Sequence, residues 1–251
     1  MNLDNANVMV TGAASGLGRC FALNFDRAGA NVLAFDVDEE GLEAVAKEGD
    51  NIATAVGSVA EEEDVKAAVQ AGIDAFGSLN GLVNNAGIFR DGLLVKKDRD
   101  SGEITTMSTE DWTSVVDVNL TGTFLCTREV AAHMVETEPE EGVIVNISSC
   151  SRHGNMGQGN YSATKAGVVA DTKLWAEELA RYGVRVGAVA PGFTQTPILD
   201  GMRDAMLEKL VKQVPLRRTG KPEEIYMAVK FIFECGYFTG RCIDVDGGIN
   251  M

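Results

Sequence analysis

Short apolar runs alternate with amphipathic stretches of helical period along almost the whole chain, and this alternation limits the fold more than any other feature. Apolar runs of roughly four to eight residues make strands buried on both faces, and the helices between them must cross back over the sheet. The strand candidates are Asn7–Thr11, Asn31–Phe35, Ile52–Val56, Gly81–Asn84, Val143–Ile147, Val184–Val189 and Cys242–Val245. Helical spacing fills the segments near Leu17–Ala28, Glu39–Lys47, Glu61–Ala75, Thr109–Glu136, Tyr161–Tyr182 and Pro222–Glu234. The predicted fold is a doubly wound α/β architecture, a parallel sheet of about seven strands with helices on both faces, in a single domain over 1–251.

Two segments break the alternation. Ile88–Ser108 is long and charged, with Asp98, Arg99, Asp100, Ser101 and Gly102 together, and reads as a surface insertion. The stretch near 193–212 contains Pro197 followed by Ile198, Leu199, Met202, Met206, Leu207 and Leu210 at near-helical spacing, and reads as a lid over a site.

Charge and cysteine usage narrow the partners. A net charge of −15 repels phosphate backbones and anionic lipid, which disfavours nucleic acid and membrane surfaces. The opening MNLDNANVMVTG has no basic and apolar leader pattern, and no window is apolar enough to span a bilayer, so a cytoplasmic protein is expected. Five cysteines, Cys20, Cys126, Cys150, Cys235 and Cys242, have neither metal-ligand nor CxxC spacing and read as unpaired thiols without a metal.

Thr11-Gly-Ala-Ala-Ser-Gly-Leu-Gly18 follows the first strand and opens the first helix, the context that a phosphate-cradling loop requires. Glycine lets the backbone turn and lets pyrophosphate approach, while free amides at the helix N-terminus attract its charge. The spacing Gly12, Gly16, Gly18 differs from the commoner G-x-G-x-x-G, but its position predicts a Rossmann-type dinucleotide site. Asp36 ends the second strand, where a carboxylate can accept hydrogen bonds from the adenosine ribose. Asp38, Glu39 and Glu40 follow, and Ser15 rather than a base precedes Gly16, so a ribose 2′-phosphate would meet repulsion with no cation to offset it. The expected cofactor is NAD rather than NADP.

Tyr161 and Lys165 stand four residues apart at the start of a predicted helix and so share one face. Their company is ordered: Thr11–Gly18, then Asn84-Asn-Ala-Gly87 after the fourth strand, Asn119 in VNLTG, Asn146-Ile-Ser-Ser149, and Pro191-Gly192 after the sixth strand. In this order the motifs resemble the short-chain dehydrogenase/reductase family over essentially the whole chain. The resemblance implies that Tyr161 is the general acid/base, that Lys165 lowers its pKa and holds the nicotinamide ribose, and that Asn119 supports a proton-relay water. It also implies a dinucleotide held by Gly12, Ser15, Gly16, Leu17, Gly18, Asp36, Val37, Ser58, Val59, Asn85, Ala86, Gly87, Pro191, Gly192, Thr194 and Thr196, together with Tyr161 and Lys165. Where the family usually has an Asp-Val pair after the third strand, this chain has Ser58-Val59.

A serine that polarises the substrate oxygen is also implied, and two candidates stand side by side. Counting back thirteen residues from Tyr161, the family's usual spacing, gives Ser148, whereas the N-x-S-S strand ending gives Ser149. A loop loses a residue more readily than a strand slips register, which favours Ser149 and leaves Ser148 open.

The short C-terminal tail, Asp246-Gly-Gly-Ile-Asn-Met251, and the insertion after NNAG resemble the branch of mitochondrial 3-hydroxyacyl-CoA and 17β-hydroxysteroid dehydrogenases. Leu94-Val-Lys-Lys97 is similar to a stretch in that branch's insertion, which puts Lys96 and Lys97 either against an anionic carrier such as CoA or in solvent. The expected activity is hydride transfer between NAD(H) and a secondary alcohol or ketone; the branch resemblance implies a 3-hydroxyacyl thioester or a hydroxysteroid-like substrate, and Phe193 with the lid suggests a substrate with an apolar body. A β-ketoacyl carrier-protein reductase is the second reading, favoured by GNMGQGNYSATKAG and disfavoured by Asp36, since such reductases commonly use NADPH. A catalytically silent NAD-binding sensor or assembly subunit is the alternative of another class. The resemblance further implies a homo-oligomer, commonly a tetramer, built on Thr109–Glu136, Tyr161–Tyr182 and the last strand.

Overall fold

The computed structural model describes residues 1–200 and 204–249. In chain order the strands are β1 (Asn7–Thr11), β2 (Asn31–Asp36), β3 (Ile52–Val56), β4 (Gly81–Asn84), β5 (Val95–Lys97), β6 (Ile104–Thr106), β7 (Gly142–Ile147), β8 (Val184–Pro191) and β9 (Cys242–Val245). The helices are α1 (Gly16–Arg27), α2 (Glu39–Glu48), α3 (Glu62–Phe76), α4 (Thr109–Val116), α5 (Gly122–Thr137), α6 (Gly159–Leu179), α7 (Pro197–Asp200), α8 (Asp204–Gln213) and α9 (Pro222–Glu234).

Seven strands make one parallel sheet in the order β3-β2-β1-β4-β7-β8-β9. The order reverses between β1 and β4, because the chain runs outward through β2 and β3 and then returns to the other side of β1. Crossovers on either side of this point leave it uncovered at the carboxyl ends of the strands, and a ligand crevice forms there. Thr11 and Asn84, the last residues of β1 and β4, stand at its floor.

Both faces of the five central strands are dry, which is why these strands read as near-continuous apolar runs. On one face Phe21 and Phe25 of α1, Leu42 of α2 and Ile225, Val229 and Phe233 of α9 pack on Val8, Val10, Val32 and Val145. On the other, Val65 of α3, Leu125 and Val130 of α5 and Ala176 of α6 pack on Met9, Leu33, Leu82 and Ile144. Each fully buried phenylalanine among them contributes roughly 1.5–3 kcal/mol.

The long helix expected over Thr109–Glu136 is interrupted. Between α4 and α5 the backbone takes a π-turn at Asp117–Thr121, in which the Gly122 amide bonds the Asp117 carbonyl. The interruption buries Asn119 completely. The charged insertion is not irregular throughout, since β5 and β6 pair as an antiparallel hairpin with Lys96 opposite Thr105 and Lys97 opposite Ile104. The lid candidate forms α7 and α8; Met202 and the side chains of Ile198 and Met206, like Asn250 and Met251 of the tail, lie outside the described residues.

Candidate active site

The loop after β1 takes the left-handed conformation at Gly12 (φ +66°) and Gly16 (φ +54°), which only glycine adopts without strain. A Cβ on Gly12 would stand 2.8 Å from the Cα of Ala86, and one on Gly18 would stand 1.9 Å from the Gly12 carbonyl oxygen. The glycines therefore let the loop touch both its own helix and the turn after β4. That turn is fixed in place by polar bonds: the Thr11 hydroxyl accepts from the Asn85 and Ala86 amides, both at 3.0 Å, and the Asn85 side chain donates to the Thr11 carbonyl at 3.0 Å.

Ser15 precedes α1 without capping it, and a Cβ on Gly16 would meet nothing nearer than 3.8 Å, so the first-turn amides of α1 open onto free space. At the end of β2 the Asp36 carboxylate accepts from the Ala14 amide at 3.0 Å and the Asp38 amide at 3.1 Å, which holds it facing the loop. Ser58 spends its hydroxyl on the Ala60 amide at 3.2 Å, while its own amide donates to Asp64 at 2.9 Å.

The second half of the site is assembled on β7 and α6. Ser148 is buried and its hydroxyl donates to the backbone carbonyl of Lys165 at 2.8 Å. Ser149 instead turns its hydroxyl to the Tyr161 phenol. Lys165 is buried and donates from Nζ to the Ile147 carbonyl at 2.7 Å, with its ammonium 5.6 Å from the centre of the Tyr161 ring.

Burial dominates the titration of both groups. It pushes the Lys165 ammonium down to about 8. Burial raises the Tyr161 phenol, the Ser149 hydrogen bond opposes that rise, and the charges of Cys150 and Asp91 add to it. The dry pocket disfavours the ammonium as well as the phenolate.

Asn119 lies behind this pair. Its side-chain oxygen accepts from the Ile88 amide at 2.8 Å and its amide donates to the Ile88 carbonyl at 3.0 Å. With the side chain committed to Ile88 and its backbone carbonyl accepting from the Thr123 hydroxyl at 2.9 Å, Asn119 acts here as a clamp on the segment after Gly87.

The two halves open into one cavity of about 610 Å³. Of the residues expected from the sequence, Gly12, Ser15, Gly16, Leu17, Asp36, Val37, Ser58, Val59, Asn85, Ala86, Gly87, Ser148, Ser149, Tyr161, Lys165, Pro191, Gly192, Thr194 and Thr196 all line it. Gly18 and Asn119 do not; Gly18 seats α1 against the loop and Asn119 holds Ile88 from behind. Lys96 and Lys97 stand exposed on β5 and are not part of the lining. Among the described lining residues, Lys165 is the one cation and Asp36 and Asp91 are the carboxylates.

The profile of the family described as Enoyl-(Acyl carrier protein) reductase matches residues 12–250. The 3-oxoacyl-[acyl-carrier-protein] reductase FabG of Thermotoga maritima is 40% identical over 256 residues, covering 99% of each chain. FabG of Staphylococcus aureus is 39% identical over 253 residues, 98% of each chain. The (2S)-[(R)-hydroxy(phenyl)methyl]succinyl-CoA dehydrogenase subunit BbsD of Thauera aromatica is 39% identical over 257 residues, 100% of this chain and 99% of its own. The chain belongs to the short-chain dehydrogenase/reductase family.

As a short-chain dehydrogenase/reductase it is an oxidoreductase acting on a ketone or alcohol, and the family implies a nicotinamide cofactor. The residues present fit one. The uncapped N-terminus of α1 offers amides to a pyrophosphate, the open side of Gly16 is the space a Cβ would fill, and Asp36 stands ready for a ribose.

Several lining residues of this family member escaped the sequence reading. Phe89 stacks on Tyr161 with ring centres 4.4 Å apart and planes 28° apart. Gln158 donates to both carboxylate oxygens of Asp91, at 3.1 and 3.2 Å, and accepts from Ser151 at 3.0 Å and Asn155 at 2.9 Å. Position was the available signal: Phe89 and Asp91 directly follow NNAG, and Gln158 stands three residues before Tyr161.

Proposed function

We propose that this protein uses NAD(H) to interconvert a 3-oxoacyl and a 3-hydroxyacyl thioester, working as one dinucleotide-binding catalytic domain in which Tyr161 moves the proton. The observation that carries the reading is the convergence of Ser149, Tyr161 and Lys165 on the same cavity that the glycine loop opens. Nicotinamide supplies or accepts the hydride when bound.

Tyr161 is protonated at neutral pH because burial holds its phenol up, so it begins reduction as an acid and donates its proton to the carbonyl oxygen. The Ser149 hydroxyl shares that phenol and orients the same oxygen. Ser148 has its hydroxyl tied to the Lys165 carbonyl, so Ser149 is the catalytic serine of this proposal and Ser148 a brace for α6. Lys165 anchors to Ile147 and keeps further donors that would hold the nicotinamide ribose. Asn119 keeps Ile88 and Gly87 from closing on that space. Phe193, Leu199 and Leu210 line the cavity, which supports the reading of the stretch near 193–212 as a lid.

NAD is favoured over NADP because a 2′-phosphate beside Asp36 would find no cation in the lining nearer than Lys165, at the opposite end of the cavity. The thioester is favoured by the names of the relatives, which act on acyl groups carried by a protein or by CoA. Those names weight a 3-oxoacyl reductase above the 3-hydroxyacyl-CoA dehydrogenase expected first. We further propose a homotetramer, supported by half-exposed Trp112, Phe124 and Leu174 on α4, α5 and α6, and a cytoplasmic location, supported by the unpaired cysteine pattern.

The test compares NADH and NADPH with a 3-oxobutanoyl N-acetylcysteamine thioester under identical conditions. The expected result is reduction with kcat/KM for NADH at least about tenfold higher, the size of effect one unscreened repulsion produces. Preference for NADPH overturns the cofactor assignment, and no turnover of the thioester overturns the substrate class. Sedimentation as a monomer removes the tetramer.

A further inference from the structure

The wall of the cavity beside Tyr161 includes Ile88, Phe89 and Asp91, and the segment that carries them is fixed from several directions. Asn119 holds both backbone groups of Ile88, at 2.8 and 3.0 Å. Asn160, fully buried and adjacent to Tyr161, donates to the Arg90 carbonyl at 2.9 Å. The Gly92 amide donates to the Gly157 carbonyl at 2.8 Å. Asp91 therefore sits between two pinned residues, and Gln158 grips both of its carboxylate oxygens.

This fixed carboxylate lines the cavity, and its charge reaches the phenol of Tyr161. No cation answers it there. The Arg90 guanidinium is turned onto the Phe89 carbonyl at 2.8 Å, and Arg152 pairs with Asp244 at 2.7 Å. Lys165, the one cation of the described lining, donates to Ile147 at the reacting end.

We propose that Asp91, held by Gln158, is a charge filter that rejects substrates with a free carboxylate near the reacting carbon and admits their uncharged esters and thioesters. The inference rests on the reading of the substrate as an acyl thioester and adds its chemical reason. Asp91 is exposed to solvent, so like charges about 6 Å apart, at an effective dielectric between about 20 and 80, repel enough to change a rate constant by roughly tenfold. An ester of the same skeleton feels none of this. The neighbouring Phe89 face accepts the apolar arm of either compound, so charge rather than shape makes the distinction.

The experiment measures kcat/KM for ethyl 3-oxobutanoate and for the 3-oxobutanoate anion with the wild-type protein and with Asp91→Asn. The expected wild-type preference for the ester is about tenfold, and Asp91→Asn, which keeps an oxygen for Gln158, lowers that ratio by roughly threefold or more. Salt supplies a readout that a packing role would not move. Raising ionic strength to about 0.5 M narrows the wild-type ratio more than that of Asp91→Asn, whose remaining salt response comes from the net charge of −15. Equal turnover of acid and ester by the wild type, or an unaltered ratio in Asp91→Asn, overturns the filter and leaves the thioester reading intact. Failure to reduce the ester, the anion and the N-acetylcysteamine thioester alike overturns that reading and the filter with it.

Discussion

The cofactor half of the cavity is built from missing side chains, and the chemistry half from side chains that are present and held. Gly12, Gly16 and Gly18 create the first by what they omit, since a Cβ at Gly12 or Gly18 would strike backbone. Ser149, Tyr161 and Lys165 create the second, each kept by a hydrogen bond to or from a neighbour. The difference teaches where damage should register: in folding and cofactor affinity on one side, and in rate at nearly constant stability on the other.

The largest test of that contrast is Tyr161→Phe. It removes the proton donor while keeping the ring that stacks on Phe89, so kcat should fall about a thousandfold, near 4 kcal/mol of barrier, with the melting temperature nearly unchanged. A melting temperature that collapses along with the rate would blur the two halves into one. Gly18→Ala should do the reverse. Its methyl meets the Gly12 carbonyl, so denaturant unfolding should show a loss of roughly 3 kcal/mol, and cofactor binding should weaken with it.

The two serines sharpen the comparison within one residue step. Ser149→Ala should lower kcat about a hundredfold without destabilising the protein. Ser148→Ala should cost about 1 kcal/mol of stability through the lost bond to the Lys165 carbonyl, with a smaller kinetic effect. The opposite pattern would move the catalytic role to Ser148.

The last test is a pH slope. Folding lowers the Lys165 pKa from 10.5 to about 8, so between those values the unfolded chain carries a proton that the folded chain lacks. Stability contributed by this group therefore rises with pH through that window, by at most about 1.4 kcal/mol per unit, and is lost as pH falls through about 8. Buried thiols such as Cys126, whose pKa burial raises, pull the other way at alkaline pH. The measurement is thus the difference between the wild-type and Lys165→Met profiles, and a zero difference would mean that the ammonium is solvated.

Much of the fold was legible because its central strands are buried on both faces and its turns need particular residues. The seven apolar runs became the seven sheet strands, and the glycine loop, Asp36, Tyr161 and Lys165 came to one cavity. The unread parts share a physical cause. Asn119 sits in a π-turn, whose i→i+5 bond leaves no mark in a helical apolar pattern. Phe89 and Asp91 lie in a segment whose polar composition resembles any solvent-facing loop, and Asn119, Gly157, Gln158 and Asn160, all far along the chain, fix it. The shared burial of Tyr161 and Lys165, which moves both pKa values, has no mark in the YxxxK spacing.

The π-turn also decides which changes of length the chain can survive. Each residue advances an α-helix by roughly 100°, so deleting one residue from Asp117–Thr121 would restore regular bonding and rotate one flank against the other by that amount. Either Asn119 would swing away from Ile88, or α4 would lose the Asp111 carbonyl that Asn160 grips at 3.1 Å. The segment is helical on both sides and looks forgiving, yet it should accept many substitutions and no deletion, whereas the exposed hairpin of β5 and β6 should shorten freely.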